Sequence, residues 1–258
     1  MSFYILQRRL ICARIDLTSL NIQLDNVTKG ESMKSNIKKA IIMVALIVFF
    51  CVLMAVIDGV LKVDYFIKSL IKLVLFLILP AIYSLCDKDI KIREVFIPEK
   101  RGVKLALSLG VLVYIVILGG YFLLKDVFDF SSITTALTNN IGVTGENFIF
   151  VSLYISFANS LLEEFFFRGF AFITLKRITG RKFAYLFSAA IFAIYHIAMM
   201  IGWFGPEIFM IIMAGLFVGG LIFNYLNEKS STVYPSWLVH MFANFAINTV
   251  GFILFGII

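Results

Sequence analysis

The chain has 258 residues, of which 61% are hydrophobic and 28 are phenylalanine, and its formal net charge is +7. No soluble globular domain needs so much apolar surface, so the composition excludes that class and indicates a polytopic helical membrane protein. A basic excess in a soluble protein would suggest binding to nucleic acid. Here the basic residues cluster between apolar segments, where membrane topology explains them, so we expect no nucleic-acid partner.

Residues 1–33 differ from the rest of the chain, because they contain charged residues and no apolar run of membrane-spanning length. Residues 33–39 begin with Met33, are rich in lysine and lead into an apolar segment, as is typical of a bacterial start. One hypothesis is therefore that this N-terminal tail reflects a wrongly assigned start site. The alternative is a short cytoplasmic tail. The cysteines, Cys12, Cys51 and Cys86, have neither metal-ligand spacing nor a disulfide pattern.

Apolar segments predict the fold class: an all-α transmembrane helical bundle of about seven spans. The predicted spans are 40–57, 67–86, 103–124, 147–170, 183–201, 207–226 and 235–257. Lysines and arginines are frequent in every second connection, which predicts a cytoplasmic N-terminus and an external C-terminus. The longest external connection, 126–146, is either a loop or a short interfacial helix. We predict two parts after the tail: 34–146, with the first three spans and this connection, and 147–258, a core of four helices.

Prolines and glycines predict local features of the last two spans. Pro206 and Pro235 suit the first turn of a helix, where a missing backbone N–H costs nothing. Gly215-x-x-x-Gly219, followed by Gly220, predicts a face on which another helix packs closely.

Adjacent carboxylates, Glu163 and Glu164, interrupt the fourth apolar segment. A carboxylate at this depth costs a few kcal/mol to insert, so it usually marks a functional site or an interior ion pair. On a helix Glu164 and Arg168 lie four residues apart and face the same way, which predicts an ion pair between them. Glu163 is rotated by about 100° from Glu164, so we expect Arg168 to leave it free for chemistry.

The only histidines of the chain, His196 and His240, also lie inside apolar segments. Phe192-x-x-x-His196 places an aromatic ring and an imidazole on one face of the fifth span. His240-x-x-x-Asn244 does the same with an imidazole and a carboxamide in the seventh span. Because polar groups avoid lipid, we expect these faces to meet the glutamates inside the bundle, in its cytoplasmic half.

These motifs resemble, in their order on separate helices, those of the CPBP family of intramembrane proteases. The resemblance covers about residues 147–250 and rests on Glu163-Glu164-x-x-x-Arg168, Phe192-x-x-x-His196 and His240-x-x-x-Asn244. That family contains the CAAX prenyl endopeptidases and the bacterial Abi, or bacteriocin-immunity, proteins.

The resemblance implies an intramembrane endopeptidase that hydrolyses a peptide bond of a membrane-associated or lipidated substrate. Glu163 would activate the water as general base, His196 would orient it, and His240 and Asn244 would donate hydrogen bonds to the oxyanion. Glu164, Arg168 and Phe192 would support these groups. Residues 147–258 would then be the catalytic part of the chain.

A metal is the main mechanistic alternative. Glu163, His196 and His240 are residue types that bind zinc, and such a site would leave a coordination position open for water. The HExxH spacing of many zinc proteases is absent, however, and the three residues come from separate helices. We therefore favour a mechanism without a cofactor and keep zinc as the alternative.

Two other function classes stay open from the residues alone. One is a membrane scaffold without protease activity that regulates a partner such as a sensor kinase, as the resemblance allows. The other is a proton-coupled transporter with Glu163 and the histidines as a relay. Bacteriocin self-immunity and the processing of peptide signals are the biological roles that the resemblance suggests. We expect an integral protein of a bacterial plasma membrane, in contact with lipid and a peptide substrate, with an active site that opens toward the cytoplasm.

Overall fold

The structure is a computed structural model that describes residues 33–87, 90–100 and 102–258. The N-terminal tail, with the hypothesis of a wrongly assigned start and Cys12, lies outside the described residues. Tertiary contacts divide the chain into two units, Met1–Ile42 and Met43–Ile258. Of the first unit the structure describes residues 33–42, which are helical. All contacts below belong to the second unit.

The described residues form helices and connections and contain no β-strand. Seven helices are long and apolar enough to cross a membrane, which confirms the predicted all-α fold with seven spans. In chain order these are α1 Met33–Leu61, α2 Tyr65–Cys86, α3 Val103–Leu124, α5 Phe148–Thr179, α6 Arg181–Met200, α7 Pro206–Ser230 and α8 Tyr234–Leu254. A 3₁₀ turn, Ile92–Phe96, precedes α3, and a short helix, α4 Ser131–Ile141, precedes α5.

The connection 126–146 contains α4, which decides between the two alternatives in favour of a short helix. The Ser132 hydroxyl of α4 donates to the carbonyl of Trp203, in the connection between α6 and α7, over 2.7 Å. Gly142 ends α4 with φ at 69°, a left-handed conformation that glycine adopts without steric cost. Pro206 and Pro235 lie in the first turns of α7 and α8, as predicted.

The fourth span is longer than predicted, because α5 continues from residue 170 to Thr179. Its last turns carry Lys176 and Arg177, which the sequence pattern had assigned to a loop. Lys176 pairs with Glu228 of α7 at 3.2 Å, and Arg177 pairs with Glu94 of the 3₁₀ turn at 2.8 Å. These ion pairs connect the basic end of α5 to α7 and to the 3₁₀ turn.

Wide turns flank the glutamates of α5. The backbone is π-helical at Ile155–Asn159 and again at Phe165–Thr174, and Ser160–Glu164 between them is α-helical. π-Helical turns are rare and often occur at functional sites, because the extra residue changes the direction in which the side chains point. The glutamates therefore lie at the end of a short α-helical segment enclosed by two irregular ones.

One face of α8 carries polar side chains that hold it against α5. Asn244 donates to the carbonyl of Ile155, and Asn248 to the carbonyl of Ser152, each over 3.1 Å. His240 precedes Asn244 by four residues, so it lies on the same face of the helix. Amide hydrogen bonds of this kind stabilise helix pairs in membranes and fix their rotation and height.

The glycines of α7 do not all lie at the close helix contact that the sequence predicts. A Cβ added at Gly220 would lie 3.0 Å from Cα of Ala189, so α6 and α7 approach closely there. A Cβ added at Gly215 or Gly219 would meet no atom of the described chain within 4 Å. The predicted close-packing face is therefore wrong for Gly215 and Gly219 and right only for Gly220.

Candidate active site

Both glutamates of α5 are buried, with Glu163 3% exposed and Glu164 fully enclosed. A buried carboxylate requires partners that replace its lost hydration. The partners differ between the two residues, and they divide the site into a supporting half around Glu164 and an open half around Glu163.

Glu164 has two partners. One is Arg168, as the spacing predicted: a guanidinium nitrogen, Nη1, lies 3.3 Å from Glu164 Oε1. The other is His240 of α8, whose Nδ1 lies 2.9 Å from the same oxygen. A carboxylate only accepts hydrogen bonds, so Nδ1 of His240 carries the proton and donates it. This contact directs Nε2 of His240 away from Glu164.

Arg168 is held by aromatic rings. Its guanidinium carbon lies 4.0 Å from the ring centroid of Phe192 and 4.9 Å from that of Phe223. Such distances are typical of cation–π contacts, which are strong when both groups are desolvated. Within the described part of the chain the guanidinium makes no hydrogen bond of good geometry, so Glu164 and these rings are what compensate its burial.

His196 of α6 is oriented by its own helix. Its Nδ1 lies 2.8 Å from the carbonyl oxygen of Phe192, one turn earlier. A carbonyl only accepts, so Nδ1 carries the proton and Nε2 presents a lone pair on the opposite side of the ring. Phe192 thus contacts the site twice, through its backbone and through a ring 4.7 Å from the imidazole centroid.

Three reactive atoms converge from three helices. Oε2 of Glu163 lies 3.9 Å from Nε2 of His196 and 3.7 Å from Nε2 of His240. These separations exceed hydrogen-bond length, so the atoms do not bind one another directly. They are short enough for a water molecule to contact the carboxylate and either imidazole. The arrangement therefore suits the activation of a water molecule.

Asn244 lies one helical turn beyond His240 and is 7% exposed. Its amide nitrogen donates one of its two hydrogens to the carbonyl of Ile155. The structure therefore places Asn244 at the contact between α8 and α5. Its observed hydrogen bond is an interhelical one.

Lys72 of α2 belongs to the site, although none of the sequence motifs includes it. Its ammonium forms an ion pair with Oε1 of Glu163 and donates to Oδ1 of Asn159 over 2.7 Å. Arg168 leaves Glu163 unpaired, as expected, but Lys72 provides a cation for one of its oxygens. A signal existed in the sequence, because a lysine inside an apolar span marks a functional site or a paired charge just as a glutamate does.

The buried charges around the glutamates balance when both histidines are neutral. The carboxylates of Glu163 and Glu164 face the cations of Lys72 and Arg168. Buried charges without partners carry a large desolvation penalty, so this balance stabilises the inserted protein. It also means that any proton that the site takes up changes its net charge.

The donor atoms of the site are of types that zinc binds, namely one carboxylate oxygen and two imidazole nitrogens with lone pairs. The hydrogen bonds at Nδ1 of both histidines would also suit metal ligands. The carboxylate of Glu163, however, already holds the ammonium of Lys72, whose charge would repel a divalent cation. The residues therefore fit a site without a metal better.

A cavity of about 670 Å³ lies between α2 and the first half of α5. Its walls are mainly apolar and include Leu73 and Leu162, the neighbours in sequence of Lys72 and Glu163. Lys72, Glu163, His196 and His240 are not among the residues that line this cavity. Ser69, Asn147 and Asp64 add polar groups to the cavity wall.

Seven apolar helices and a buried cluster of acids, bases and cations from α2, α5, α6 and α8 define an integral membrane protein with a buried acid–base site. A family model described as type II CAAX prenyl endopeptidase Rce1-like matches residues 145–246. This confirms the resemblance to the CPBP and CAAX proteases over the matched residues and supports an intramembrane endopeptidase of CAAX type. No match was found among curated proteins. None was found among solved structures either.

Proposed function

We propose that the chain hydrolyses a peptide bond of a membrane-associated or lipidated substrate with water activated by Glu163. The observation that supports this most is the convergence of Glu163 Oε2 with Nε2 of His196 and of His240 at 3.7–3.9 Å. A general-base hydrolysis requires one base within reach of a water molecule, and in this proposal Glu163 is that base and an imidazole orients the water.

In the first step the water donates one hydrogen toward Oε2 of Glu163 and the other toward the lone pair on Nε2 of His196. Glu163 takes the first proton while the water oxygen bonds to the carbonyl carbon of the substrate. The carbonyl π electrons move to its oxygen, which becomes an oxyanion. His196 keeps its proton on Nδ1 and orients the nucleophile.

His240 is the first donor to the oxyanion. Because Nδ1 already donates to Glu164, the proposed mechanism requires His240 to take up one proton from water on Nε2 before the reaction; the resulting imidazolium donates that N–H to the oxyanion and keeps the proton throughout. A carboxylate that accepts from the other ring nitrogen stabilises such a cation. The second hydrogen of the Asn244 amide is the other donor. One preorganised donor of this kind contributes about 3–4 kcal/mol to the stability of a tetrahedral intermediate in an enzyme of another class.

In the last step the oxyanion reforms its carbonyl bond and the bond between carbon and nitrogen breaks. Glu163 returns its proton to the departing nitrogen. The products are a carboxylic acid and an amine, and the carboxylate of Glu163 is restored. No oxidant, reductant or metal is needed for this sequence of steps.

The cavity between α2 and α5 supports a substrate with an apolar part. Its apolar walls suit an apolar peptide segment or a hydrocarbon chain. The description of the matching family, a CAAX prenyl endopeptidase, favours a prenylated substrate. Leader peptides, peptide signals and bacteriocin-linked immunity are further candidates for a protein of a bacterial plasma membrane. A cytoplasmic N-terminus would open this site toward the cytoplasm.

The test is cleavage of synthetic membrane-tethered peptides, with and without a prenyl group, by the purified protein in liposomes. Glu163→Gln and His240→Ala should abolish cleavage, while Asp126→Asn, a change at an exposed residue outside the site, should leave it unchanged. Mass spectrometry of the products identifies the bond. Failure of the wild-type protein to cleave any peptide, with Glu163→Gln still functional in cells, would favour the scaffold instead.

Metal dependence is decided in the same assay. Insensitivity to chelators, with no stoichiometric metal in the purified protein, supports the mechanism without a cofactor. A loss of cleavage on chelation and its recovery with zinc would replace that mechanism by zinc chemistry at Glu163, His196 and His240.

A further inference from the structure

Lys72 is connected to the site by more than one contact. Its ammonium pairs with Oε1 of Glu163 and donates to Oδ1 of Asn159. The amide nitrogen of Asn159 in turn donates to the same Oε1 over 3.1 Å. Oε1 of Glu163 therefore receives hydrogen bonds from two side chains that also bind each other. Oε2, the other oxygen, faces the two imidazoles.

We propose that Lys72 is a positioning residue for the reaction: with Asn159 it fixes the Glu163 carboxylate through Oε1 and keeps it ionised, so that Oε2 serves as the base. The inference deepens the proposed function and rests on it. It adds to the site a residue from α2, far outside the matched region 145–246.

A second ion pair on α2 shows what a purely structural role looks like. Lys68 is buried one turn before Lys72 and pairs with Asp58 of α1 at 2.5 Å. Neither Lys68 nor Asp58 contacts a carboxylate or an imidazole of the site. The two lysines share helix, burial and chemistry, so they differ mainly in their partners.

The geometry supports two effects of the Lys72 ammonium. Its bond to Oε1 restricts the rotation of the carboxylate, and a misplacement of a reacting group by about 1 Å can cost about 10²-fold in rate. Its charge also favours the ionised form of a neighbouring carboxyl, which burial alone disfavours. Both effects act through Glu163, and neither requires Lys72 to touch the substrate.

Other ionisable groups lie near Glu163 and Lys72, and among them Asp58 and Lys68 act on Lys72 with opposite signs, so removal of both charges leaves the local balance unchanged. Each packed helix supplies some: Cys51 and Asp58 from α1, Tyr65 and Lys68 from α2, Glu164 and Arg168 from α5, Tyr195 and His196 from α6, and His240 from α8. Lys72 is the cation in direct contact with the Glu163 carboxylate among the described residues. Removal of its charge should therefore affect Glu163 more than any other single change at a lysine or arginine.

The kinetic experiment compares three variants: Lys72→Met, Lys72→Arg and a double variant that carries both Asp58→Asn and Lys68→Met. The double variant removes the neighbouring ion pair and serves as the matched control. We expect Lys72→Met to lower kcat by about 10²-fold with little change in KM. The acid limb of its pH–rate profile should move to higher pH by about 1–3 pH units. Lys72→Arg should return the limb toward the wild-type position, and the control should keep the wild-type profile.

Two results would overturn the proposal. One is unchanged or increased activity of Lys72→Met, which would make Lys72 dispensable or inhibitory. The other is an equal loss in the control variant with no movement of the acid limb, which would reduce Lys72 to a structural residue.

A second measurement does not depend on activity and also applies if no peptide is cleaved, in which case the proposed function fails by itself. Dicyclohexylcarbodiimide reacts with protonated carboxyl groups inside membranes, and peptide mapping locates the adduct. At neutral pH Glu163 should be modified in Lys72→Met and not in the wild type, in Lys72→Arg or in the control. Equal modification of Glu163 in all four proteins would refute the inference.

Discussion

Replacement of Arg168 by methionine should destabilise the protein strongly, and a second change should reverse much of the loss. The ion pair of Arg168 with Glu164 is fully buried, with 3.3 Å between Nη1 and Oε1. At this distance Coulomb's law gives about 5 kcal/mol for an effective dielectric constant of about 20. Arg168→Met leaves Glu164 without its cation, and removal of one partner of a buried pair typically costs about 3–5 kcal/mol.

The double variant Arg168→Met with Glu164→Gln removes both charges. Methionine retains much of the apolar volume between the rings of Phe192 and Phe223, and glutamine retains an acceptor for Nδ1 of His240. We expect this variant to be more stable than Arg168→Met by about 3 kcal/mol, a coupling typical of residues in direct contact.

Reversible unfolding of the two single variants and the double variant in mixed micelles measures that coupling energy. A loss below about 1 kcal/mol in Arg168→Met, the level of an exposed pair, would refute the reasoning. So would a double variant no more stable than Arg168→Met, because the cost would then come from lost packing and not from the unpaired carboxylate.

Two further predictions concern packing and surface charge. Gly110→Ala should destabilise the protein by about 1–3 kcal/mol, because the new Cβ would lie 2.6 Å from the ring of Phe242 at the contact of α3 with α8. Gly215→Ala is the control, since no described atom lies within 4 Å of its Cβ. An equal loss of stability in Gly215→Ala, measured in the same unfolding assay, would contradict the prediction. Outside the membrane, the Arg177 guanidinium that donates to Glu94 lowers the pKa of this carboxyl. The stability that the pair contributes is therefore present above the ordinary pKa of a glutamate and is lost as the pH falls through the lowered pKa of Glu94. Arg177→Gln should raise the pKa of Glu94 in an NMR titration. An unchanged titration would show that the pair does not form.

The number of spans was predictable because apolar length alone determines it, and the structure has all seven. The end of α5 was not predictable in the same way. Residues 171–179 end in polar residues, which lowers their mean hydropathy, and the partners of their basic side chains are distant in sequence. Glu94 and Glu228 pair with Arg177 and Lys176 from other elements, and no pattern within α5 indicates them.

The close-packing face of α7 illustrates a different limit. Gly215-x-x-x-Gly219 fulfils a spacing that permits close approach, yet only Gly220 has a backbone neighbour near its Cβ position. Small residues allow a contact without requiring one. The direction in which a helix faces its neighbours is set by the whole bundle, so a spacing rule cannot identify the face by itself.

The contacts of the site were predictable where the residues lie on one helix or belong to one sequence motif. The pairing of Glu164 with Arg168 follows from their spacing, and polar groups of α6 and α8 do converge on α5. Lys72 was not predicted, because the second span has no motif beyond its apolar length. Its partner Glu163 is 91 residues away, and only the packing of α2 against α5 brings the two together.

The ion pair of Lys72 with Glu163 also bears on how the chain divides into parts. The predicted boundary at 146/147 separates these two residues, and the family match begins at residue 145. A lysine or glutamate alone at membrane depth costs about 2.5–3.5 kcal/mol or more to insert, so each residue reduces the penalty of the other. Since the pair uses only Oε1 of Glu163, it stabilises the charge without occupying the oxygen that faces the histidines. The second span therefore contributes a charge to the acid–base cluster, and a fragment restricted to residues 147–258 should lack the cation that pairs with Glu163.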